Sequence, residues 1–79
     1  MAEIAKELSE LEATKSHIAE AERLVAEQQQ RVKELWKNGR PTQQAEMTLA
    51  KLRGALQARR DTQAIIERIL QDIAAGRLP

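Results

Sequence analysis

One set of apolar positions recurs every seven residues through the first half of the chain: Ile4, Leu11, Ile18, Val25 and Val32. No proline or glycine interrupts residues 1–38, and the positions three residues further on (Glu7, Thr14, Ala21, Gln28, Leu35) are mostly polar or small. A strict seven-residue repeat keeps one stripe facing one way, so the segment is constrained to a long helix burying a single seam. The flanking residues are mainly Ala, Glu, Gln, Lys and Arg, which are good helix formers. Pairs such as Glu27 and Arg31 lie one turn apart, where opposite charges support a helix. Ser9 and Glu12 match a capping box, which would start the helix late. Ile4 and Leu8 keep the period, however, so a helix over about residues 3–38 is expected.

The second half carries its own stripe: Ala45, Leu49, Leu52, Leu56, then Arg59 and Gln63, then Ile66, Leu70 and Ile73. Its spacings alternate between four and three, and Gly76 and Pro79 end it, which predicts a helix over about 43–75. Between the two stripes lies "WKNGRPTQQAE", residues 36–46. Gly39 suits the left-handed position after a helix, and Pro41 stops helix continuation while restricting Arg40 to extended geometry. Thr42 is the expected cap of the second helix through its hydroxyl. A turn this short, residues 39–42, forces an antiparallel pair.

The expected fold is therefore all-α: one domain, residues 1–79, forming an antiparallel, coiled-coil-like two-helix hairpin roughly 50 Å long. Folding at the corner predicts that facing positions sum to about 81. Val32 then faces Leu49, Val25 faces Leu56, Leu11 faces Leu70 and Leu8 faces Ile73. Glu22 comes opposite Arg59, and Ile18 opposite Gln63.

A chain of 79 residues without cysteine has neither disulfides nor thiolate metal ligands to reinforce a small core. Trp36 is its only aromatic residue apart from a single histidine. The second helix has a further stripe, Ala55, Ala58, Thr62, Ile65 and Ile69, turned away from the hairpin seam, with Ile65 and Ile69 lacking an evident partner. Ala5, Ala19 and Ala26 keep another face of the first helix small. The economical expectation is a homodimer forming a four-helix bundle, with a different helical protein as the other candidate partner. Trp36 is expected to lid the bundle end beside Leu35 and Ala45, or else to serve as an exposed binding anchor.

The sequence offers little chemistry. His17 has Glu20 one turn away, but "HIAE" reverses the order that carboxylate-bridged metal bundles use, so no metal and no cofactor are expected. No nucleophile stands with a base and an orienting group, and Gly39, Gly54 and Gly76 form no phosphate-cradling loop, so an enzyme is not expected. Gly54 is read as a close helix approach or simple tolerance. Net charge is +1, divided as −2 over residues 1–38 and +3 over residues 39–79. This division suits two halves lying side by side. Arg53, Arg60 and Arg68 form the alternative nucleic-acid patch, but Asp61, Glu67 and Asp72 interrupt it. No apolar run approaches the roughly 20 residues of a membrane span, and the charged N-terminus is unlike a secretory signal, so a cytoplasmic location is expected.

Residues 17–70, from "HIAEAERLVAEQQQ" to "RRDTQAIIERIL", resemble a widespread group of small uncharacterised bacterial proteins. The shared elements are the His-Ile start, the Glu-Arg-x-Val/Ile-x-x-Gln register and a Gly-x-x-Thr corner before an Ala-rich helix; Trp36 departs from the group's small or charged residue. The resemblance implies a helical hairpin and nothing catalytic. Together these readings give a cytoplasmic interaction or scaffold module, with Ile65, Ile69, Ala58 and Trp36 as its candidate surface. Weak nucleic-acid binding through the helix 2 arginines is the alternative.

Overall fold

The computed structural model describes residues 2–77. It contains two helices, α1 (Ala2–Lys37) and α2 (Gln43–Ala74), packed against each other as an antiparallel hairpin. The all-α hairpin expected from the two stripes is what the chain forms. It is a rod of 58 × 16 × 13 Å.

Both helices end in the same way. Gly39 and Gly76 adopt φ of 67° and 73°, where any Cβ would clash with the backbone. At the first end, Gly39 N–H donates to Trp36 O and Arg40 N–H to Leu35 O. At the second, Gly76 N–H donates to Ile73 O and Arg77 N–H to Asp72 O. These paired bonds are the Schellman arrangement, which satisfies helix carbonyls that would otherwise be orphaned. Arg77 adds an ion pair to Asp72, Nε to Oδ1 at 3.2 Å, where such motifs often carry an apolar contact.

The start of α2 departs from expectation. Thr42 sits at φ −111°, ψ −6°, and its hydroxyl makes no capping hydrogen bond. Capping from this position needs extended backbone, which aims the side-chain oxygen at the free N–H groups. Thr42 contributes only its carbonyl, which accepts from Glu46 N–H at 2.8 Å.

Along α1 the intrahelical ion pairs also differ. Glu27 pairs with Arg23 rather than with Arg31, because Arg23 stands between Glu20 and Glu27 and engages both. The capping-box serine, Ser9, lies inside α1, so the helix starts early as the period requires.

The seam is the one the heptads describe. Ala45, Leu49, Leu56 and Ile66 of α2 are buried, as is Thr14 of α1. Leu11, Ile18, Val25 and Val32 are half-buried opposite them. No side chain in the described residues is fully enclosed. A two-helix rod covers each helix from one direction only, and the core is correspondingly thin.

Register agrees with the sequence reading only in part. A sum of 81 would set Gln28 opposite Arg53, yet the Gln28 amide donates to the Ala45 carbonyl at 3.0 Å. Eight helical residues separate those positions, roughly 12 Å. Further along the rod, Glu22 meets Arg60 at 3.5 Å, one residue from the expected Arg59 and in keeping with a sum of about 81. The departure lies on the corner side of the Glu22–Arg60 pair. Arg40–Thr42 belong to neither helix, and Pro41 disfavours helical backbone at Arg40. Leu8, meant for Ile73, is left 49% exposed at the open end.

Candidate interaction surfaces

A helix residue just before a seam position and one just after it point to opposite flanks, because successive side chains are about 100° apart. In an antiparallel pair, the "before" flanks of both helices share one side of the rod. Leu24 precedes Val25, and Ala55 precedes Leu56; they line a common shallow groove with Ala21 and Leu52. Its volume is about 190 Å³, and His17, Glu20 and Arg59 complete its edge. Arg59, expected inside the seam, is exposed on this side instead.

The second stripe of α2 continues this flank. Ala58 and Thr62 are exposed, the Thr62 hydroxyl donating to Ala58 O at 3.0 Å. Ile65 is 61% exposed. Ile69, expected to lack a partner, is half-buried because it directly precedes the seam residue Leu70. Ala5, Ala19 and Ala26 are exposed too, but each follows a seam position and so lies on the opposite flank. The two small-residue faces read from sequence therefore do not share a side. Sequence reasoning missed Leu24, although the adjacent pair Leu24-Val25 signals a helix that is apolar beyond its seam. It also missed Met47, which is 60% exposed and outside both stripes.

At one edge of the groove, Arg23 Nε donates to Glu20 Oε2 at 3.1 Å, and a second guanidinium nitrogen also engages Glu20. These bonds hold the Glu20 carboxyl below its ordinary pKa, with the field of the Arg23 charge adding to them. The Arg23 guanidinium is stabilised in return by both of its carboxylates. His17 is exposed in an open groove. Among the described residues, no three of His, Asp and Glu come together as a metal-binding group.

The opposite flank carries the Glu22–Arg60 bridge and Trp36. Trp36 is 77% exposed, so it does not cover the end of the hairpin. It follows Leu35 in sequence, which turns the indole off the seam and past the start of α2. Beside it lies an open space of about 440 Å³ bordered by Gln30, Lys33, Glu34 and Lys37. Arg53 and Arg68 of α2 are exposed, while Arg60 is engaged with Glu22. No helix among the described residues is long and apolar enough to cross a membrane.

No protein-family model, curated protein or solved structure matches this chain.

Proposed function

We propose that the hairpin is a cytoplasmic, non-catalytic assembly module that pairs with a second copy to form a four-helix bundle, whose outer faces engage other proteins. The observation that carries this reading is surface area. The chain exposes 6141 Å². A compact monomer of 8.9 kDa exposes about 4,800 Å² by the general size relation. The surplus of about 1,300 Å² per chain is enough for a specific two-fold interface.

The flank holding the groove is the better interface. It presents Leu24 and Ile65 together with small residues, Ala21, Ala55 and Ala58, that let a second hairpin approach closely. The opposite flank holds the exposed Glu22–Arg60 pair, whose desolvation would cost more than it returns. The non-catalytic part of the reading rests on His17, which stands in a groove without the enclosing walls that acid–base chemistry uses.

Charge placed on either flank tests the assignment. Leu24→Glu and Ile65→Glu dissociate the dimer, while Ala26→Glu, on the other flank, leaves it intact; size-exclusion elution reads all three. Dissociation by Ala26→Glu alone overturns the assignment of the face. A different helical protein on the groove flank would show as a monomer whose Ile65→Glu variant loses that partner.

A further inference from the structure

We propose that the corner end of the rod binds single-stranded nucleic acid, with one base stacked on the Trp36 indole and flanking phosphates held by Lys33, Lys37 and Arg40. The indole is 77% exposed beside an open space that Lys33 and Lys37 border. Residues 31–40 carry four cations, Arg31, Lys33, Lys37 and Arg40, against one carboxylate, Glu34. That carboxylate accepts the Gln30 amide at 3.4 Å and has acceptor capacity left for a base N–H.

The surroundings of the indole select the ligand. An apolar protein surface docking on Trp36 would strip water from Gln30, Lys33, Glu34 and Lys37 without replacing it. A bilayer meets the same obstacle, since Trp36 is the only apolar side chain bordering that space and no wedge accompanies it. A nucleotide offers a flat π-face for the indole and anionic oxygens for the ammonium groups, the pairing that single-strand binders use. Asp61 and Glu67, which interrupt the arginines of α2, lie far along the rod from this end. Trp36 is also on the flank away from the groove, so this site is independent of the dimer face and of the reading built on it.

Trp36 is the chain's only Trp, Tyr or Phe, so intrinsic fluorescence reports on this site alone. The full chain is titrated with an unstructured oligothymidylate in low salt, with inorganic polyphosphate and anionic phospholipid vesicles in parallel. Saturable quenching by the oligonucleotide, and not by polyphosphate, is expected. Trp36→Leu weakens binding of a labelled oligonucleotide about tenfold, the usual effect of losing one base stack. Log affinity falls with log salt at a slope of about −2 for three phosphate contacts, and Lys33→Gln/Lys37→Gln brings it to about −0.7. Equal quenching by polyphosphate, unchanged oligonucleotide affinity in Trp36→Leu, or a blue shift confined to vesicles overturns the proposal. Circular dichroism of each variant confirms that the helices are retained, as the exposure of these side chains requires.

Discussion

The Gln28 side-chain amide donates to the backbone carbonyl of Ala45 at 3.0 Å, tying two residues 17 positions apart across the seam. This bond ties the two helices together at a definite height. Gln28→Ala removes it from a partly buried site and lowers the unfolding free energy by about 1 kcal/mol. Urea denaturation measures the loss.

Thr42 gives the complementary case. A threonine that caps a helix costs about 1 kcal/mol or more when cut to alanine. Because the Thr42 hydroxyl caps nothing, Thr42→Ala changes stability by less than about 0.5 kcal/mol in the same assay.

Glycine positions separate cleanly. A methyl group at Gly54 meets nothing within 4 Å, and the backbone there is ordinary helix. The close-approach role is therefore absent, and Gly54→Ala stabilises by up to about 1 kcal/mol through helix propensity. Gly39→Ala, with equal space but φ of +67°, destabilises by about 1–2 kcal/mol. Thermal unfolding followed at 222 nm distinguishes the two signs.

Glu20 titrates below the ordinary glutamate range because Arg23 hydrogen-bonds its charged form. A depressed folded-state pKa contributes stability above the unfolded value, and that contribution fades as pH falls through the folded value. Carboxyl-carbon NMR shows the lowered midpoint, and Arg23→Gln raises it towards the ordinary value. Both side chains are exposed, so the effect on global stability is small.

What the sequence disclosed follows from what its period encodes. Repeats of seven report burial directly, so Leu11, Ile18, Val25 and Val32 and most of the stripe from Ala45 to Ile73 are covered by the seam, while Ile4 and Arg59 are exposed. Axial register is not encoded in the period. It depends on how far Arg40, Pro41 and Thr42 carry the chain, which a count of residues does not report. Trp36 was misplaced for a related reason: nearness to the corner said that the ring was at the end of the rod, but not that one helical step past Leu35 turns it outward. Leu24 shows the reverse, a residue just off the seam that becomes visible as surface only once the flanks are assigned.

Solution mass by light scattering, over roughly 1 to 100 µM chain, tests the assembly most directly, because a weak dimer populates only at the upper end. A mass twice the 8.9 kDa of one chain, falling on dilution or with Ile65→Glu, is the expected result. A single-chain mass at every concentration would contradict it, and the surplus surface would then belong to a partner of another sequence.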